Sequence, residues 1–180
     1  MKEESLPSSF MKRANILILL FCLGIILLVD WASKLATVTN LPYMNTFISY
    51  PYGGVGLFKD FLGIEFSLVY TKNTGAAWGL FQDYQIVLLV LRSIFVLGLF
   101  IYAFFYNKER TYDWPFTLIL AGAFGNILDY FLYGHVIDMF HFILWGYDYP
   151  VFNVADSAIF VGIVWLVLIG IFSKKKVETK

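Results

Sequence analysis

Cysteine is almost missing from this chain: Cys22 is the only one in 180 residues, so no intrachain disulfide can hold the fold. Cys22 does not read as a lipidation site either, because Phe21 before it is too bulky for the small-residue signal that precedes one. It reads as a small apolar side chain on a membrane helix. An excess of either charge is also lacking. Thirteen Lys and Arg balance thirteen Asp and Glu, which leaves nothing to suggest nucleic-acid binding. No repeat, low-complexity tract or separable second domain is visible. What the chain has in excess is apolar surface. It is 59% hydrophobic with a mean hydropathy of +0.72, beyond soluble domains, in which roughly half the residues are apolar.

That excess falls into four runs, over about 14–31, 86–106, 114–129 and 156–173. The first follows Lys2, Lys12 and Arg13 and resembles the basic start and apolar core of a signal peptide. It meets Asp30-Trp-Ala-Ser-Lys34 instead of a small-residue cleavage site, so it reads as an uncleaved first transmembrane helix. Asp30 and Lys34 share a helical face at i, i+4, near the far interface. The third run carries Ala121, Gly122, Ala123 and Gly125, and the fourth Ala158 and Gly162, small residues that let helices approach closely. Arg92 lies about two turns into the second run, placed either to snorkel outward or to face a carboxylate in the bundle.

Residues 35–83 differ in character, with Gly53, Gly54, Gly56, Gly63, Pro42, Pro51 and many aromatics. Ile64, Phe66, Leu68 and Tyr70 alternate with Glu65, Ser67, Val69 and Thr71, a period of two that predicts a half-buried strand. This segment reads as a small β-rich unit on the membrane surface, where amphipathic rings collect. It closes in Asn73-Thr-Gly75-Ala-Ala77, a glycine turn that could hold the Asn73 amide over a site. The basic groups Lys2/Lys12/Arg13, Lys108/Arg110 and Lys174–Lys176 fall at alternate ends of the four spans. The positive-inside rule puts them, and both termini, in the cytoplasm, with the β-rich segment outside.

The stretch from Asn126 to Asp156 holds four Asp and two His and no Lys or Arg, between two apolar flanks. Ionisable groups at a membrane boundary are costly unless solvated or paired, which makes them candidates for a functional site. A wet acidic loop is the plainer alternative, but Asp138 and Asp156 sit within apolar or small-residue runs. Two carboxylates in a poorly solvated place do not both ionise easily. The ionised one can activate water and the protonated one can donate to a carbonyl, as in aspartic proteases.

Five blocks then carry a resemblance: Asp30-x-x-Ser-Lys34, Asn73-x-Gly75-Ala-Ala77, Gly125-Asn126-x-x-Asp129, Val136-Ile-Asp138 and Phe152-Asn153-x-Ala155-Asp156-Ser157. In this order, over residues 14–173, the chain resembles the lipoprotein signal peptidases, or signal peptidase II. The resemblance implies one membrane-embedded peptidase domain over 1–180. Its fold would be an all-α four-transmembrane-helix bundle with a small β-rich extracytoplasmic unit between helices 1 and 2. It implies a catalytic dyad of Asp138 and Asp156, with Asp30, Lys34, Asn73, Gly75, Asn126, Asp129 and Asn153 shaping the site and no metal or other cofactor. Diacylglyceryl-modified prolipoproteins would be the substrates, cut on the N-terminal side of the modified Cys. The other expected partners are membrane lipids, with no nucleic acid. A monomer in the bacterial cytoplasmic (inner) membrane is expected, its active site at the outer face. One departure stands out: Tyr130 follows Asp129 where the family usually has Arg. That leaves open what neutralises Asp129 and whether Arg92 supplies the charge.

Two other readings compete. His135, Asp138 and His141, with Asp156, could ligate Zn²⁺ in a metal-dependent membrane hydrolase. Alternatively, the polar residues could serve helix packing in a non-enzymatic four-helix adaptor or carrier.

Overall fold

The computed structural model of the protein describes residues 8–75 and 84–178. Ala76 and Ala77 of the second block lie outside the described residues, as do Lys2 and the side chains of Lys12, Arg13 and Lys174–Lys176. Four helices carry the apolar runs: α1 (Ser8–Asn40), α2 (Gln85–Ile101, continued by a π turn over Tyr102–Tyr106), α3 (Asp113–Tyr133) and α4 (Val154–Glu178). Their apolar parts, Ile16–Asn40, Gln85–Tyr106, Arg110–Tyr133 and Val154–Phe172, are each long enough to cross a bilayer. Helix α1 runs nine residues past the expected end at 31 and stops just before Leu41-Pro42, where proline disfavours helix in the residue ahead of it. Asp30 and Lys34 are therefore interior to the helix rather than at its frayed end. The separate outer segment begins after Asn40, not at 35.

Between the helices lies one antiparallel sheet in the order β1-β2-β3-β4 (Val55–Phe61, Ile64–Asn73, Val136–Leu144, Tyr147–Asp148). The β-rich unit is thus not confined to the connection between helices 1 and 2; its second half comes from the connection between α3 and α4. Strand β3 escaped the sequence pattern because it is central and buried on both faces. Val136, Ile137, Asp138, Met139 and His141 are all buried, so the run Val-Ile-Asp-Met-Phe-His shows no alternation. Strand β2 does alternate, but the fully buried face carries Ser67 and Val69. Its other face holds Phe66, stacked on Phe142 at 4.2 Å, and Phe142 is stacked on Phe152 at 5.9 Å.

Both hairpins turn on two residues with positive φ, Leu62-Gly63 and Trp145-Gly146. That is the geometry which suits the right-handed strand twist. The tips join: Trp145 Nε1 donates to the Leu62 carbonyl at 3.1 Å, and Trp145 N–H to that of Gly63 at 2.9 Å. Helix α3 packs against the other three helices. A Cβ at Gly122 would overlap the Ala155 carbonyl, and one at Gly162 would come within 2.8 Å of the Pro115 carbonyl, so glycine sets the α3–α4 spacing.

Candidate active site

Helix α4 starts on a reciprocal cap. Asn153 Oδ1 accepts from the Asp156 N–H at 2.8 Å, and Asp156 Oδ2 accepts from the Asn153 N–H at 3.3 Å. This is the capping-box arrangement, with Asn and Asp in place of Ser/Thr and Glu. The start at Val154 brings Asp156 into the first turn, where a carboxylate suits the positive end of the helix. Asp156 is fixed by the helix start itself.

The same Asn153 holds Asp138. Its Nδ2 lies 2.7 Å from Asp138 Oδ1, 3.2 Å from the Ile137 carbonyl and 3.1 Å from Asn126 Oδ1. From the neighbouring strand, Asn73 Nδ2 donates to Asp138 Oδ2 at 2.9 Å. From α3, Asn126 Nδ2 donates to Asp156 Oδ1 at 2.8 Å. Each carboxylate is thus gripped on both oxygens by amide groups, and Asn153 touches both residues. Asp138 is only 2% exposed. Burial, and secondarily the Asp156 carboxylate, pushes its carboxyl up to about 7.

Behind this pair lies a buried cation. Lys34 Nζ is fully enclosed and meets Asp30 Oδ2 at 2.6 Å, Asp129 Oδ2 at 2.8 Å and Asn126 Oδ1 at 3.2 Å. An ammonium has three protons, and here there are three acceptors. Asp30 Oδ1 takes the Ala155 N–H at 2.8 Å, tying α1 to the start of α4, and Asp129 Oδ2 takes the Ile137 N–H at 3.2 Å, tying α3 to β3. A Cβ on Gly125 would come 2.7 Å from Asp30 Oδ2, so glycine is needed there for Asp30 to fit. The cation beside Asp129 is therefore Lys34, which Asp129 shares with Asp30. Tyr130 is half-buried and lines a small gap with Arg92, Asn73 and Asn126. Arg92 Nη2 donates to the Gly75 carbonyl at 2.8 Å, and Gly75 N–H donates to Asn73 Oδ1 at 3.0 Å.

All nine singled-out residues are brought into one connected network. Sequence reasoning missed the Ala155 N–H, the Arg92–Gly75 bond and the double role of Asn153. Asn153-x-x-Asp156 was a readable capping signal. The histidines are not part of this network. Asp138 and His141 are three apart on a strand, so they point to opposite faces. His141 instead lies between Ser67 Oγ (3.4 Å) and Asp148 Oδ1 (2.9 Å). His135 has a buried Nε2 with no hydrogen-bond partner among the described residues, and burial, then Lys72, holds its pKa below the ordinary range. No group of three potential metal ligands forms among the described residues.

Asp138 and Asp156 both line a cavity of about 800 Å³. Asn73, Gly75 and Arg92 border it on one side; Phe142, Phe152 and Phe160 give it apolar walls. Two carboxylates, each held by amides at the side of an apolar cavity, can keep one proton between them and present it to a polar group on an otherwise apolar ligand.

Residues 22–172 match the family model described as signal peptidase (SPase) II. The chain is 34% identical over 164 residues to the lipoprotein signal peptidase of Chlamydia pneumoniae, covering 89% of this chain and 95% of that protein. It is 39% identical over 151 residues to the one from Chlamydia felis, covering 79% and 85% respectively. Among solved structures, two bacterial membrane enzymes share the fold. The first has a TM-score of 0.72 at 21% identity over 88% of this chain and 90% of its own. The second has a TM-score of 0.66 at 22% identity over 84% and 90%.

Proposed function

The chain belongs to the signal peptidase II family of membrane peptidases, and from that premise we propose that it is an aspartyl endopeptidase that removes signal peptides from prolipoproteins. We assign the cut to the N-terminal side of the diacylglyceryl-modified Cys, and the chemistry to Asp138 and Asp156. The observation that carries this assignment is the pair itself: both carboxylates are held by the Asn153 residue and both face the same apolar-walled cavity.

We assign the shared proton to Asp138, the less exposed of the two carboxyls, and the role of base to Asp156. Asp156 takes a proton from a water molecule as the water oxygen adds to the scissile carbonyl carbon. Asp138 gives its proton to the carbonyl oxygen, forming a gem-diol. On collapse, one hydroxyl returns its proton to Asp138, the C–N bond breaks, and Asp156 protonates the leaving amine of the modified Cys. The amides of Asn73, Asn126 and Asn153 keep both carboxylates oriented through the cycle.

The acyl chains suit the apolar side of the cavity and the surrounding lipid, and the peptide backbone suits its polar side. The topology that fits the chain's positive charges has both termini in the cytoplasm and the dyad at the outer face of the inner membrane, where a signal peptide's cleavage site emerges. The test is cleavage of a synthetic diacylglyceryl-peptide by the purified protein, read by mass spectrometry. A new N-terminus at the modified Cys, retained in excess chelator, is expected. Cleavage lost to chelator would favour the metal hydrolase, and no cleavage of any lipidated precursor would favour the adaptor.

A further inference from the structure

An arginine inside an apolar helix is expensive unless something takes its charge and donors. Arg92 is the one charged residue in the apolar span Gln85–Tyr106. Its guanidinium is half-buried and meets a main-chain carbonyl: Nη2 donates to Gly75 O at 2.8 Å. That carbonyl belongs to the turn in which the Gly75 N–H holds Asn73 Oδ1 at 3.0 Å. The other end of the Asn73 amide holds Asp138 Oδ2 at 2.9 Å. Three hydrogen bonds in series therefore run from the second helix to one oxygen of the candidate dyad. Arg92 and Asn73 also border the cavity onto which Asp138 opens.

We propose that Arg92 is a positioning residue for the cleavage reaction: by anchoring the Gly75 carbonyl it sets the Asn73 amide, and the amide in turn sets Asp138. Its role rests on the dyad assignment above. An arginine suits it because a planar guanidinium directs its donors from a preorganised fork, and a long side chain can reach out of α2 to a turn beside the strand. A lysine can offer the same carbonyl one donor, without the fork.

The consequence is readable in the pH dependence. Donation from Asn73 favours the ionised form of Asp138, so releasing the amide raises the pH at which the shared proton is lost. The other charged groups around Asp138 are Asp156 at the start of α4 and Lys34 on α1, the latter engaged by Asp30 and Asp129. None of these is on α2, so replacing Arg92 leaves them in place.

The experiment measures kcat and KM against pH for wild type, Arg92→Leu, Arg92→Lys, Asn73→Ala and the double variant Arg92→Leu/Asn73→Ala, each purified in detergent. Asn73→Ala is expected to move the alkaline limb of kcat upward by roughly half a pH unit or more. Arg92→Leu is expected to move it in the same direction, with kcat down about tenfold and KM little changed. The double variant should be no worse than Asn73→Ala alone, because both act through one amide. Arg92→Lys should restore the limb. If Arg92→Leu does not accumulate, Arg92→Gln, too short to span to the carbonyl, is read the same way. A limb that stays put in the Arg92 variants while Asn73→Ala moves it would overturn the proposal, and so would a rise confined to KM. Failure of the dyad assignment looks different: Asp138→Asn would then still cleave.

Discussion

At the scale of single residues, Lys34 is the side chain on which most of the polar network depends. It lies among two carboxylates and an amide with no exposed surface. Removing one partner of a buried ion cluster leaves the others uncompensated, at a cost of about 3–5 kcal/mol. Lys34→Met should therefore lower the unfolding temperature of the purified protein by at least ~5 °C, and it should reduce activity through the shift of Asn126. An unchanged melting curve would show that Asp30 and Asp129 do not depend on it. The i, i+4 spacing of Asp30 and Lys34 on one helical face was legible in the sequence. The burial of the pair was not, because that depends on Asp129, ninety-five residues further on, and on the extra turns of α1 up to Asn40. Tyr130 in turn raised a question about Asp129 that only the folded chain answers: the counter-charge comes from α1.

At the scale of elements, the helices were readable and half of the sheet was not. Long apolar runs declare spans whatever their partners, and the positions of Gly122, Gly125 and Gly162 declare close contacts. A central strand buried on both faces loses its alternation, so β3 went unread between the third and fourth apolar runs. The place of Asp138 on a strand matters, since a strand next to Asn73 can receive that amide across the ladder. The hairpin tips are the most exposed apolar part of the sheet, with Phe61 63%, Leu62 76% and Trp145 76% exposed. We propose that they dip into the headgroup layer and help capture the lipidated substrate. Phe66 is a poor probe of this idea because its ring stacks on Phe142. Phe61→Ser with Leu62→Ser removes exposed apolar side chains while leaving the Trp145 bond between the tips, and should raise KM severalfold with little change in kcat; an unchanged KM in well-folded protein would contradict membrane capture by the tips.

At the scale of the whole molecule, four spans bring one carboxylate from each of α1, α3 and α4, and a fourth from the sheet, to one end of the structure. We propose, from the distribution of the positive charges, that this end lies outside. A single cysteine placed at Lys59 in a Cys22→Ser background should be labelled by an impermeant thiol reagent added from outside. Lys59 is preferable to Asp60, whose φ of 56° disfavours most side chains. Labelling only from the cytoplasmic side would reverse the topology. The five blocks are dispersed along the chain, but the network ties them together; their order alone carried the family resemblance, and their contacts required the fold.

The central claim is that Asp138 and Asp156 work as one catalytic pair, and the most direct measurement is the cleavage rate of a diacylglyceryl-peptide by Asp138→Asn, Asp156→Asn and the double variant. Asn keeps the size of the side chain and removes the acid–base function, so each single change should cost at least about 10²–10⁴-fold. The double variant should be little worse than either. Wild-type activity should fall as pH rises through about 7, as the proton held by Asp138 is lost. Asp148→Asn serves as the control: its carboxylate is 69% exposed and meets His141 away from the dyad, and Asn keeps an acceptor there, so the rate should barely change. Near-normal cleavage by well-folded Asp138→Asn or Asp156→Asn would contradict the account.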